Sequence, residues 1–212
     1  MAWDAATARE RSLAEVARLG FPAPPEGYPS IERAAVRPES EAADRALVLN
    51  LVLNCTFKMP TSLARSWLDD HGLTGALTEG ERAYLDAVDA GEDPTAQGNQ
   101  VQLEALWALA WALGLTPVLD MGAYCGDDLA SRLPDLRASE GPERFRSSLA
   151  MRPEDEVLDA VDLLFCLTWG SRQTQLTGVE HPGEVWAYVF WERRRALEWL
   201  VGDDWDHPEL GT

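Results

Sequence analysis

The stretch LEALWALAWALGL, Leu103 to Leu115, is strongly apolar and guides the prediction of the whole fold. It holds two tryptophans, five leucines and four alanines, and Glu104 is its only charged residue. As an α-helix its 13 residues would span ~20 Å, too short for the ~30 Å hydrocarbon core of a bilayer. We therefore predict a helix buried in a protein core, in which Glu104 needs a partner.

Helical spacing of apolar residues continues on both sides of this segment, and strand-like alternation is scarce. Thr78 and Glu81 have the spacing of a capping box, which predicts a helix start. The other predicted helices are Asp4 to Leu19, one from Pro38, Pro60 to His71, and two long ones, about Pro153 to Leu176 and about Gly183 to Val201. We predict an all-α fold, a single domain of about seven to eight helices over residues 1–202.

The connections between these helices are rich in turn-forming residues. Residues 21–30 form a proline-rich loop, because the stretch GFPAPPEGYPS has four prolines in eleven residues. Residues 116–151 are predicted to be a turn-rich connection with short helical pieces and at most one short hairpin. Residues 203–212 are predicted to be a polar, mobile tail.

Two helix starts resemble each other. RPESEAADRALVL, Arg37 to Leu49, aligns with RPEDEVLDAVDLL, Arg152 to Leu164, through a shared R-P-E-x-E-x-x-D pattern before an apolar run. Proline suits the first helical turn, and acidic residues there complement the helix dipole. Convergent capping and duplication of a helical half both explain the likeness at this point.

Charged residues stand in the apolar faces of the two last predicted helices. At 100° per residue, Trp186 and Leu200 lie within about 20° of Arg193, so Arg193 is central in its apolar face. Arg194 and Arg195 point elsewhere and are expected to be solvated. By the same rule Val161 and Phe165 lie within about 20° of Arg172.

An unpaired charge in a core costs several kcal/mol, so these groups need partners or a wetted pocket. We predict that the Glu104 carboxylate pairs with the guanidinium of Arg172 or Arg193, because the two groups match in bidentate geometry. Glu192, at the border of the apolar face, is a second candidate for this pairing.

The candidate site supports two interpretations. In the first, an ion network fixes how three helices dock. In the second, the charges and nearby indole rings form a pocket for an anionic or planar ligand. The residues of the candidate site are Glu104, Trp107, Trp111, Trp169, Arg172, Glu192 and Arg193.

The net charge of −18 limits the classes of partner. It disfavours nucleic acid and anionic membranes, because every phosphate contact needs a local cation, and it favours a basic protein partner. A charge that only keeps the protein soluble is the alternative. Three widely spaced cysteines and an N-terminus without an apolar signal core predict a cytoplasmic protein without a disulfide framework.

Recognisable catalytic and metal-binding motifs are missing from the sequence. His71, His181 and His207 have no ligand at metal-binding spacing, and no local motif supports Cys125 and His181 as a nucleophile–base pair. We predict no metal and no cofactor. Whether the protein is an enzyme stays undecided, and the missing motifs favour a non-catalytic role.

Several stretches resemble the bacterial domain of unknown function numbered 4272, over nearly the whole chain. They are LTEGERAYL, EALWALAWALGL, RPEDEVLDAVDLL, TWGSRQTQLTG and WERRRALEWL. The resemblance matches Trp169, Arg172 and Gly178 to the family's penultimate helix, and Glu192 and Arg193 to its Glu-Arg pair near the end. The family usually has an arginine two residues before the glutamate of the tryptophan helix, and here that position is Gln102.

The resemblance implies a mainly helical fold and no known activity. From the charge and the missing motifs, we predict a non-catalytic binding or interaction protein with an acidic surface, of the immunity or adaptor kind. The alternative is a small-molecule enzyme or ligand-binding protein that uses the candidate site for an anionic ligand.

Overall fold

The computed structural model describes residues 3–208, and every regular element in that range is helical. The α-helices are α1 (Ala5–Arg18), α2 (Glu39–Thr56), α3 (Thr61–Asp70), α4 (Glu79–Asp89), α5 (Leu103–Ala112), α6 (Leu129–Arg132), α7 (Glu143–Ser147), α8 (Glu154–Thr177) and α9 (Ala187–Leu200). Within the same range, 3-10 turns lie at Thr74–Ala76, Asn99–Gln102 and Leu136–Ala138. Residues 3–208 contain no strand, so the all-α prediction is confirmed.

Local capping signals determine where two of the helices begin. The Asp4 carboxylate accepts the backbone N–H of Thr7 at 2.9 Å at the start of α1. At the start of α4, the Thr78 hydroxyl accepts the N–H of Glu81 at 3.1 Å, and Glu81 accepts the N–H of Thr78 at 2.9 Å. These bonds satisfy N–H groups that the helix itself cannot pair. The predicted capping box is therefore present.

The last helix begins later than predicted. We expected its start near Gly183, but α9 begins at Ala187 and Trp186 is its N-cap. Gly183 has φ +79°, in the left-handed region. A residue in that conformation interrupts a right-handed helix, so the chain turns here before α9 starts.

Helix α5 lies at the centre of the fold. It packs against α9 and α2, while α8 packs against α9 and α1. Ala105, Leu106, Ala108 and Leu109 are fully buried, and Trp111 is only 7% exposed. A helix that is apolar on all sides belongs in the interior, as the tryptophan-rich segment predicted. No helix among residues 3–208 is both long and apolar enough to cross a membrane.

The C-terminal end of α5 is joined to the segment that precedes α8. The backbone N–H groups of Ala150 and Arg152 donate to the carbonyls of Leu113 and Ala112 at 3.0 and 2.8 Å. Gly114 has φ +77°, and a Cβ at this position would clash with the carbonyl oxygen of Ala150. Glycine is therefore required where the two segments meet.

The two Arg-Pro-Glu helix starts make equivalent contacts on two different helices. Arg37, before α2, stacks 4.7 Å from the Trp199 ring, and its Nε donates to the Trp199 carbonyl at 2.7 Å. Arg152, before α8, stacks 4.7 Å from the Trp111 ring, and its Nε donates to the Trp111 carbonyl at 2.9 Å. Each arginine thus closes the C-terminal end of a tryptophan-bearing helix, α9 or α5.

The capped helices also share a sequence pattern. EALWALAWALG, residues 104–114, and ERRRALEWLVG, residues 192–202, carry Glu, Ala-Leu, Trp and Gly in the same register. Each capping arginine pairs with the glutamate four residues on, Arg37 with Glu41 and Arg152 with Glu156. Convergent capping requires only the proline and the acidic residues. The additional equivalences favour duplication of a helical half.

The chain remains part of the fold beyond the predicted boundary at residue 202. Trp205 is only 5% exposed, belongs to the apolar core, and packs edge-on against Trp199. Asp206 accepts the N–H of Gly80 at 2.9 Å. The predicted mobile tail is therefore wrong for the segment around Trp205, because burial of an indole ring holds it in place. Residues 209–212 lie outside the described residues.

Candidate functional site

The structure brings Glu104 and Arg193 together. Arg193 Nε and Nη2 donate to Glu104 Oε2 at 2.9 and 2.6 Å. Arg193 is 0% exposed and Glu104 is 2% exposed. A buried pair of this kind is tolerated only when further hydrogen bonds satisfy both groups. The prediction that Glu104 pairs with Arg172 or Arg193 is thus confirmed for Arg193.

Backbone groups of one loop supply those further bonds. Arg193 Nη1 donates to the Asp120 carbonyl at 2.6 Å, and Nη2 donates to the Ala123 carbonyl at 2.8 Å. The second carboxylate oxygen of Glu104 accepts the N–H of Cys125 at 2.9 Å. The ion pair therefore attaches residues 120–125 to α5 and α9. This closed arrangement favours the structural interpretation, because a bound anion would have to displace protein groups from Arg193.

Arg172 does not take part in this pair. Its side chain is exposed, whereas we expected it at the centre of a buried face. Helix α8 is buried on two sides: Thr168 accepts a hydrogen bond from Arg194 of α9, and Asp162 is paired with Arg9 of α1. On a helical wheel the two buried sides merge into one broad apolar face. The centre of that face falls between the two sides, at the position of Arg172.

The three tryptophans of the candidate site have separate surroundings. Trp111 lies under Arg152 and lines a cavity of 440 Å³ beside α1 and α8. Trp169 lies 5.9 Å from the Tyr28 ring and lines a different cavity of 450 Å³. Trp107 is half-buried and packs closely against Gly126. The rings do not form the walls of one stacking pocket.

Glu192 is buried beside Arg195, and one of its carboxylate oxygens lacks a hydrogen bond among the described residues. The distance from Arg195 Nη1 to Glu192 Oε2 is 3.6 Å, and Oε2 has no hydrogen-bond partner among residues 3–208. Burial raises the pKa of the Glu192 carboxyl, and the charge of Arg195 opposes the rise. Glu192 thus belongs to a cluster separate from Glu104.

The sequence patterns did not predict two further ion pairs with buried arginines. Arg194, expected to be solvated, is buried, with Nε 2.6 Å from Glu198. Arg45 of α2 pairs with Glu81 of α4, and both are buried. Arg45 is a charged residue within the apolar run RALVLNLVL, as Glu104 is within its own run, and this pattern could have predicted the pair.

An acidic cleft lies where the end of α9 meets the start of α4. It has a volume of 310 Å³. The carboxylates that line it are Glu79, Asp203, Asp204 and Asp206, and its cationic residue is Arg37. The Asp204 carboxylate accepts the N–H groups of Asp206 and His207 at 2.9 and 2.7 Å. These bonds hold the chain in the turn that shapes the cleft.

Cys125 and His181, considered above as a nucleophile–base pair, lie in different surroundings. Burial raises the pKa of the Cys125 thiol to about 11, so it is protonated at neutral pH. His181 contacts the Ser171 hydroxyl at 3.2 Å and packs edge-on against Phe21. Within the described part of the chain, no group of three or more His, Cys, Asp or Glu could hold a metal ion.

A family model described as a domain of unknown function, DUF4272, matches residues 8–208 of the 212-residue chain. The chain belongs to this family. Of the nine α-helices among residues 3–208, the match covers all but the first residues of α1. No curated protein and no solved structure matched the chain. Membership of DUF4272 fixes the relationship and names no activity.

Proposed function

We propose that this DUF4272 protein is a non-catalytic binding protein that associates with a cationic partner through the acidic cleft. The observation that carries the proposal is the charge of the cleft: four carboxylates line it together with one arginine. A cleft in which one sign of charge prevails concentrates ions of the opposite sign and speeds their association. The arginine and lysine side chains of a basic protein have the matching charge.

The rest of the molecule supports this charge preference. The net charge is −18, and most arginines already pair with carboxylates of the chain itself. Arg65, for example, lies 2.6 Å from Asp86 and 2.9 Å from Asp89. Paired arginines contribute little positive potential to the surface, so the field around the protein is negative.

The two helix ends at the cleft have opposite signs. Trp199 lies in the last turn of α9, whose C-terminal end carries a partial negative charge, and Glu79 begins α4, whose N-terminal end carries a partial positive charge. The preference for cations therefore rests on the side-chain carboxylates.

The test is a calorimetric titration of the protein with a hexa-arginine peptide at about 50 mM and about 150 mM NaCl. The variant Glu79→Gln/Asp204→Asn removes two charges from the cleft, and the amides keep an oxygen for the turn at Asp204. Glu10→Gln/Glu26→Gln is the matched control, because it removes two exposed charges elsewhere. We expect the cleft variant to lower affinity about tenfold, and the control variant much less.

Affinity for the peptide should also fall steeply from the lower to the higher salt concentration. Equal losses in the two variants would mean that only the total charge matters, and would contradict a defined site in the cleft. Binding that is insensitive to salt and to both variants would contradict the proposed acidic steering as a whole.

A further inference from the structure

A smaller cavity lies between α2, α4, α9 and the segment around Gly98. Its volume is 150 Å³. The polar side chains that matter here are Glu81, Gln97, Asn99, Gln102, Arg195 and Asp206, all of which line it. They come from four separate parts of the chain, so the cavity exists only in the folded protein. Neither Glu79 nor Asp204 of the acidic cleft lines it.

Most of the polar atoms around this cavity have partners within the protein. Glu81 pairs with Arg45 and accepts the N–H of Thr78 at 2.9 Å. Asp206 accepts the N–H of Gly80 at 2.9 Å. The Gln102 amide donates to the Asn99 side chain at 3.2 Å. Hydrogen bonds and an ion pair within the protein therefore fix the positions of several polar side chains in the lining.

Three buried polar atoms in the same corner have no hydrogen-bond partner among residues 3–208. They are Arg195 Nε, Glu192 Oε2 and Arg45 Nε. Arg45 contacts two residues of the lining, Glu81 and Trp205. Folded proteins keep few such atoms, because a buried group without a partner costs free energy. Two are donors and one is an acceptor. Arg195 lines the cavity, whereas Glu192 and Arg45 contact residues that line it.

The charges around the cavity are mixed. Arg195 and Asp206 line it, and the Arg45–Glu81 pair and Glu192 lie beside them. A simple anion would meet three carboxylates and a simple cation would meet two guanidinium groups, so each would lie beside charges of its own sign. A zwitterion presents opposite charges to the two kinds of group. The three amides of Gln97, Asn99 and Gln102 can donate to its carboxylate and accept from its ammonium group.

We propose that this cavity binds a small zwitterion of the α-amino-acid class, with Arg195 as the group that receives its carboxylate. The size of the cavity sets the limit on the side chain. A cavity of about 150 Å³ holds a molecule of the size of benzene. Glycine, L-alanine and L-serine fall within that limit, whereas amino acids with long or aromatic side chains exceed it.

The first experiment measures the melting temperature of the protein with about 10 mM glycine, L-alanine or L-serine. Acetate and methylamine at the same concentration are the controls, because each carries only one of the two charges. At tenfold excess over its dissociation constant, a ligand should raise the melting temperature by about 3 °C. We expect this rise for at least one of the amino acids and less than about 1 °C for the controls.

The second experiment places the binding at the cavity. Arg195→Gln removes the cation that receives the carboxylate, and Gln102→Leu removes one amide from the lining at similar size. Arg144→Gln is the matched control, because Arg144 is an exposed arginine that pairs with Glu140. We expect both cavity variants to lose the rise in melting temperature and the control to keep it. If Arg195→Gln does not fold, Gln102→Leu decides.

Each other result would overturn the proposal. An equal rise with acetate and glycine would indicate an anion site. No rise with any of the three amino acids would mean that the cavity holds water only. A rise that persists in Gln102→Leu and Arg195→Gln would place the binding elsewhere in the molecule. None of these results bears on the acidic cleft, whose test uses different variants and a peptide.

Discussion

At the scale of single residues, a charged residue within an apolar run of the sequence indicates a buried ion pair. Glu104 and Arg45 both stand in such runs, and both are paired in the core, with Arg193 and Glu81. Neither run contains its partner, because the pairing joins helices that are distant in the sequence. The charge is thus visible in the sequence, but the identity of its partner is not.

Replacing Glu104 tests the contribution of its ion pair to stability. Glu104→Ala should lower the free energy of unfolding by about 3–5 kcal/mol, because it leaves the buried Arg193 without a counter-ion. Glu104→Gln should cost less, since an acceptor oxygen remains. Urea denaturation followed by circular dichroism measures both changes.

Asp86→Ala is the control for this measurement. It breaks an exposed ion pair with Arg65 and should cost less than about 1 kcal/mol. A Glu104→Ala variant as stable as the Asp86→Ala variant would contradict the structural importance of the buried pair.

At the scale of helices, α8 shows why the apolar face of a single sequence segment can mislead. Thr168 faces α9 and Asp162 faces α1, and at 100° per residue the two positions are about 120° apart. Arg172 lies between them on the wheel and is exposed. In a helix that packs against only one neighbour, the centre of the apolar face on the helical wheel is the buried centre of the contact.

The two equivalent helix starts predict matched effects of mutation. Arg37→Lys and Arg152→Lys should each lower the free energy of unfolding by about 1–3 kcal/mol. Lysine keeps the charge, but its single ammonium group cannot stack on the tryptophan ring and donate to the tryptophan carbonyl at the same time, as the planar guanidinium does. Chemical denaturation of both variants, beside Arg65→Lys as a surface control, measures the effect. A loss in only one of the two would show that their contacts are not equivalent.

At the scale of the whole molecule, the C-terminal segment completes the core. Trp205 contacts Trp199 of α9 and the guanidinium of Arg45 from α2, 4.7 Å from its ring. Asp206 bonds the start of α4. The segment thus connects three helices that belong to different parts of the chain, and the polar sequence around Trp205 concealed this role.

Two tryptophans provide a matched test of that connection. Trp205→Ala should lower the free energy of unfolding by about 3–5 kcal/mol, because it leaves a cavity beside Trp199 and Arg45. Trp186→Ala should change it by no more than about 0.5 kcal/mol, because Trp186 is 72% exposed. Thermal and urea denaturation measure both variants. Similar stability of the two variants would contradict the packing of the C-terminal segment.

The sequence by itself determined the helical fold, the central position of the tryptophan helix and several helix starts. Apolar periodicity, capping residues and glycines act over one or two helical turns, so they can be read without the rest of the chain. The same signals showed that Glu104 and Arg193 needed partners in a core.

Only the tertiary structure decided which residues meet. It paired Glu104 with Arg193, left Arg172 exposed, buried Trp205, and gathered Gln102, Arg195 and Asp206 around one cavity. The residues in each of these contacts are distant in the sequence, and their approach depends on how every helix packs against its neighbours. Local patterns show that a side chain must be buried or paired, but the packing of the whole chain chooses its partner.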